Sequence, residues 1–209
     1  MEHIENNKVM ISGKVAGEVA YSHEANGIKF YSMQILTRRS SGAYDIIPVI
    51  VSEKILDKDK DYINQYVLVT GMLRSRNADG IGKKKVMLYL YASEIEITNE
   101  LADGQGVNLI TLDGYICKDT IYRETPLGKE ITDMLLAVNR PYNKSDYIPC
   151  ICWGSNARLA GSLEVGSHVS VSGRIQSREY QKKLENGEFE TRTTYEVSVN
   201  KIKVVESEE

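Results

Sequence analysis

Gly71-Met72-Leu73-Arg74-Ser75-Arg76 returns as Gly173-Arg174-Ile175-Gln176-Ser177-Arg178, and this pair of hexapeptides decides how the chain folds. Working outward, Ile11-Ser12-Gly13-Lys14-Val15 meets Leu112-Asp113-Gly114-Tyr115-Ile116 at an offset of 101. The same offset pairs Gly27 with Gly128, Arg39 with Arg140, Asp45 with Asp146 and Pro48 with Pro149. One register held across so many glycines, prolines and charges marks two copies of one domain. The first copy takes 1–99 and the second 108–205. A short turn-rich linker over 100–107 joins them, and an acidic end follows at 206–209.

Each copy reads as β-structure. Val169, Val171, Gly173 and Ile175 alternate with Ser170, Ser172, Arg174 and Gln176, the period of a half-buried strand. Further strands are predicted over 109–122, 129–139, 146–153 and 192–204. Thr125-Pro126-Leu127-Gly128 supplies a hairpin turn, and Asn186-Gly187 centres a longer one between Gln181 and Glu190. Ser155 to Leu163 suits a short helix after the third strand, with Lys54 to Gln65 as its first-copy counterpart and Asn77 to Gly82 as the late turn. Five strands with a helix between the third and fourth is the order of the oligonucleotide/oligosaccharide-binding (OB) fold. The predicted class is all-β: two tandem five-stranded OB-fold barrels. Barrel closure also explains a glycine in the middle of strands one and four, where coiling leaves little room for a Cβ.

Composition narrows the classes. No window among the 209 residues approaches the roughly 18 apolar residues of a membrane helix. The N-terminus, Met1-Glu2-His3-Ile4-Glu5, has no secretory pattern, so a cytoplasmic setting is expected. Three cysteines without C-x-x-C spacing argue against a disulfide framework and a zinc site. Cys150 and Cys152 alternate as small buried hydrophobes. The net charge of −3 neither supports nor excludes a polyanionic partner, because residues 107–205 carry 13 basic against 12 acidic side chains. Thirteen tyrosines against two phenylalanines favour rings that are partly exposed. His3, His23 and His168 are dispersed, and no nucleophile–base pair can be assembled, so neither an enzyme, a metal site nor a cofactor is expected.

The second copy resembles a known family. Thr125-Pro126-x-Gly128, Leu136-Ala137-Val138-Asn139-Arg140, Asp146-Tyr147-Ile148-Pro149-Cys150-Ile151-Cys152-Trp153-Gly154 and Gly173-Arg174-Ile175-Gln176-Ser177-Arg178-Glu179-Tyr180 together resemble bacterial single-stranded DNA-binding protein (SSB). The resemblance implies binding of single-stranded DNA without strong sequence preference, in replication, recombination or repair; RNA is the alternative polymer. It implies base stacking on Trp153, Tyr147, Tyr142 and Tyr180. Phosphate contacts are implied for Arg140, Lys144, Arg158, Arg174, Arg178 and Arg123 of the second copy and for Arg38, Arg39 and Arg76 of the first. Such binding needs exposed ring faces and cations that follow the phosphates, and the residues supply both types. Tyr147 and Trp153 are six apart, hence on one face of a strand, which by residue pattern alone serves equally as core.

The resemblance further implies a homodimer presenting four barrels, and nucleoid association in the cell. The family's long tail with its Pro-Phe tip has no counterpart in Val205-Glu206-Ser207-Glu208-Glu209, which leaves recruitment of partners through such a tip doubtful. A tail-less accessory protein of the primosome type, acting mainly as an interaction scaffold, is the alternative. The first copy has lost the rings: Ser41, Ile46 and Ser52 align with Tyr142, Tyr147 and Trp153, and Ala78 with Tyr180. Arg38, Arg39, Arg74, Arg76 and Lys83-Lys84-Lys85 remain, so the first copy is expected to guide the phosphate chain and build the assembly. Tyr89 and Tyr91 offer displaced platforms.

Overall fold

The computed structural model describes residues 6–57, 59–78, 85–99, 106–184 and 186–206. Six strands form the first half: β1 (Asn7–Val15), β2 (Ala20–Ala25), β3 (Ile28–Arg38), β4 (Tyr44–Ser52), β5 (Tyr66–Ala78) and β6 (Lys85–Thr98). The second half repeats them as β7 (Asn108–Ile116), β8 (Ile121–Glu124), β9 (Glu130–Arg140), β10 (Lys144–Trp153), β11 (His168–Lys183) and β12 (Phe189–Val204), with α1 (Ser155–Gly161) between β10 and β11. The strands run in the order β2-β3-β4-β6-β5-β1-β7-β11-β12-β10-β9-β8. Pairings β3–β1 and β7–β9 close each half on itself, so the two predicted barrels are present and joined edge to edge.

The strand predicted over 109–122 divides. Its two parts, β7 and β8, both pair with β9, so one long strand turns a barrel corner at residues 117–120. The repeated glycines sit where backbones crowd. A Cβ on Gly13 or Gly114 would lie 2.3 or 2.4 Å from the Leu36 or Ala137 carbonyl oxygen. One on Gly71 or Gly173 would lie 2.1 or 2.2 Å from that of Tyr91 or Ser198.

The helix expected over 54–65 does not form among the described residues, which are turns. The Asp57 carboxylate accepts the Asp59 N–H at 3.2 Å, and Asp61 accepts that of Ile63 at 2.9 Å. Such side-chain bonds to the chain two residues on compete with helical pairing. The second copy has Asn156-Ala157-Arg158-Leu159-Ala160 there, and its helix forms with Ala157 and Ala160 buried. Most of the late turn at 77–82, along with Lys83 and Lys84, lies outside the described residues.

The seam between the barrels is the antiparallel pair β1–β7, in which Val9 faces Ile110, its own counterpart in the repeat. The barrels are therefore related by an internal two-fold passing beside that pair. Two buried aspartates reinforce the seam. Asp45 of β4 accepts the Ser177 N–H at 2.6 Å, the Ser177 hydroxyl at 2.8 Å and the Arg39 Nε at 2.6 Å. Its repeat-mate Asp146 accepts the Ser75 N–H at 2.8 Å, Arg74 Nη1 at 2.9 Å and Arg140 Nη1 at 3.4 Å. Each aspartate thus ties one barrel to the β-arm of the other. Both carboxylates are fully buried. Burial pushes the Asp45 carboxyl up, but the Arg39 guanidinium and the Ser177 amide and hydroxyl outweigh it and hold the group below the usual carboxylate value.

Candidate nucleic-acid interface

The deciding strand is β10. Ile148, Cys150 and Cys152 point into the core, and Tyr147, Pro149, Ile151 and Trp153 occupy the opposite face. Tyr147 is 48% and Trp153 40% exposed, so the two rings stand on the outside of the barrel. Alternation puts them there because the opposite register would turn Ile148, Cys150 and Cys152 to solvent and drive two aromatic rings against Leu136 and Val138 in the core. Gly154, at φ +57, turns the chain from β10 into α1 in a backbone conformation that favours glycine. Cys150 and Cys152 behave as small apolar side chains. Burial holds both as thiols, raising Cys150 well above its ordinary value and Cys152 to about 12.

Trp153 borders a groove of about 540 Å³ whose floor is built from Ile131, Leu135, Pro149 and Ile151. Lys118, Arg123 and Arg178 line it, as does Tyr195, whose hydroxyl donates to the Ile46 carbonyl of the first barrel at 2.8 Å. Acidic residues balance the cations. Arg123 pairs with Asp133 at 2.7 Å and Arg178 with Glu196 at 3.7 Å. Arg123 is about half exposed, and such a pair at the surface is weak enough for a competing anion to displace. The result is an apolar trough edged by the Trp153 and Tyr195 rings, with Lys118, Arg123 and Arg178 set against Asp119, Asp133 and Glu196. It suits a flat aromatic partner whose negative charge can displace the weaker of those pairs.

The remaining expected residues are scattered around this trough. Tyr142 tops the β9–β10 turn, 87% exposed, at φ +65, with Asn143 also left-handed at φ +54. A bulky residue held in that region is strained, and here the strain presents a ring to solvent. Tyr180 is half-buried farther along β11, in register with Arg192. Lys144 is exposed at the start of β10. Arg158 projects from α1 and pairs with Glu130, outside the groove lining. Arg174 is half-buried, reaches Gln176 at 3.4 Å and finds no partner for its Nε among the described residues. Arg38 and Arg76 are exposed on the first barrel.

Two arginines are placed elsewhere than the sequence suggested. Arg39 and Arg140 serve the buried aspartates, and Arg39 also donates to the Ser177 carbonyl at 2.8 Å. A cation engaged by a buried carboxylate is poorly placed to follow a phosphate chain. Tyr89, read as a displaced platform, is half-buried beside Arg74, Arg76 and Arg140, and burial raises its hydroxyl pKa. Sequence reading missed Lys118, Tyr195 and the apolar floor, since nothing in a single strand's pattern says which neighbour lies beside it.

Comparison with known proteins bears on the second copy and on the fold. Residues 107–205 match the model of the Single-strand binding protein family. Single-stranded DNA-binding protein 3 of Listeria innocua is 37% identical over 82 residues, covering 36% of this chain and 51% of that protein. Single-stranded DNA-binding protein A of Bacillus subtilis is 35% identical over 82 residues, covering 36% and 48%. The chain thus spans about half the length of the curated relatives it matches. The wild-type single-stranded DNA-binding protein of Thermus aquaticus superposes with a TM-score of 0.77 at 19% identity, over 97% of this chain and 94% of that one. The last likeness speaks to the fold of both barrels together.

Proposed function

We propose, from the match of residues 107–205 to the single-strand binding protein family, that this chain binds single-stranded DNA on the outer face of its second barrel. Trp153 and Tyr147 provide the faces on which bases stack. Lys118, Arg123 and Arg178 attend the phosphates beside them, with Lys144 and Tyr142 extending the contact at the β9–β10 turn. One observation carries the reading: the two rings stand outside the barrel, and Trp153 borders an apolar trough that Lys118, Arg123 and Arg178 also line. Bases of any identity have a ring face, so such a surface holds a strand with little regard for sequence. The stretch acts as a binder, with no chemical step, and works in the cytoplasm where DNA is exposed.

Titration with oligo(dT) at low salt tests this, read by tryptophan emission, which reports Trp153 alone. Strong quenching is expected. Unchanged emission together with unchanged anisotropy of a labelled oligonucleotide would refute it and favour a protein scaffold. Oligo(U) in parallel decides the RNA alternative. We also propose that two chains associate to present four barrels. Met10 and Leu109 face each other across the seam on its outer side, and Leu109 is 60% exposed there, an apolar spot suited to a second copy. Light scattering that returns a monomer mass would remove that part.

A further inference from the structure

We propose that the first barrel carries a base-stacking platform of its own, Tyr44 with Arg38, placed so that a strand leaving the Trp153 trough crosses the seam onto it. The inference rests on the single-strand reading above and adds a site to it. Tyr44 and Arg38 are cross-strand partners in β3 and β4, and both are exposed, Tyr44 at 55%. The matching pair in the second barrel is Asn139 opposite Ser145, without ring or charge. The ring absent from Ile46 and Ser52 therefore stands one step along the same outer face, and a cation accompanies it. A guanidinium beside an exposed ring is the pairing that a stacked base and its phosphate require.

Position gives the second argument. Tyr44 adjoins Asp45, the aspartate that grips Ser177 of the β11 arm, and Arg178 of the trough is the next residue on that arm. Ile46, two residues from Tyr44 on the same face, accepts the Tyr195 hydroxyl, and Tyr195 also lines the trough. The outer face of β4 thus continues the lining of the trough across the seam, through contacts that the buried aspartate keeps fixed.

The test compares the full chain with its Tyr44→Ala and Tyr44→Phe variants, by anisotropy of labelled oligo(dT) of about 10 and about 30 nucleotides, lengths that fit one barrel or two. Tyr44→Ala should bind the short strand within twofold of the parent and the long one about 5- to 10-fold more weakly. Tyr44→Phe keeps the ring and should match the parent on both. A long-strand affinity untouched by Tyr44→Ala, or an equal loss on both lengths, overturns the inference while the Trp153 site stands. Failure of the parent chain to bind either length overturns the single-strand reading itself.

Discussion

Where the second barrel turns Trp153 outward opposite Ile131, the first carries Ser52 opposite Phe30. Phe30 is buried: His23 stacks on it at 4.8 Å and 12°, and Tyr91 leans in at 5.9 Å. The first barrel has a ring at this level and covers it with its own side chains; the second leaves its ring open to solvent. Meanwhile the core alternation, the crowded glycines and the aspartate grips are repeated almost residue for residue. The comparison separates two kinds of constraint. Closing a barrel fixes the inward face, whereas the outward face is free to exchange rings for aliphatic residues or shift them along the ladder.

Five measurements probe that separation, beginning with the largest effect. Asp45→Ala and Asp146→Ala should each lower unfolding stability by about 3 kcal/mol in urea titrations, since each strands buried partners. A large loss at one site and none at the other would show that the two halves of the seam are unequal. Asp45 has a lowered folded pKa, so its contribution is complete above the unfolded carboxylate value of 3.8 and fades as pH falls through the folded one. The stability of Asp45→Asn should accordingly vary less than the parent's below about pH 4. Next, Trp153→Ala should weaken oligo(dT) binding by about 2 kcal/mol, roughly 30-fold, with Ser52→Ala neutral at the matching position. Converting Ile46 to Tyr, which restores the second barrel's ring, should strengthen binding to long oligo(dT) about fivefold; no gain would mean that this face is not reached. Smallest of all, Asp133→Asn should release Arg123 and tighten binding about twofold, with a steeper salt dependence.

Much of this architecture is legible in the sequence because the repeat reports it twice. Strand alternation, the Gly128 and Gly187 turns and the crowded glycines follow from residue type and spacing. The outward placement of Trp153 does not, since period two names a face without saying which side holds the core; Ile148, Cys150 and Cys152 settle it only once the sheet is closed. The first-copy helix fails for a local reason, carboxylates bonding to their own backbone. Arg39 and Arg140 look like free cations in sequence because the burial of their partners Asp45 and Asp146 comes from the other barrel, where Ser177 and Ser75 bond the same carboxylates. Tyr44 was visible in principle: the offset of 101 sets it against Ser145, and a gained ring is as informative as a lost one.

The pairing of Val9 with Ile110 has a consequence for polarity. A dimer of identical barrels meeting at such a strand pair looks the same from both ends and cannot tell the 5′ side of a bound chain from the 3′ side. Here a peptide link replaces the symmetry operator, and the halves are no longer obliged to match. A polymer laid from the indole of one half to the phenol of the other would meet unlike surfaces at its two ends, a difference on which a preferred direction can rest.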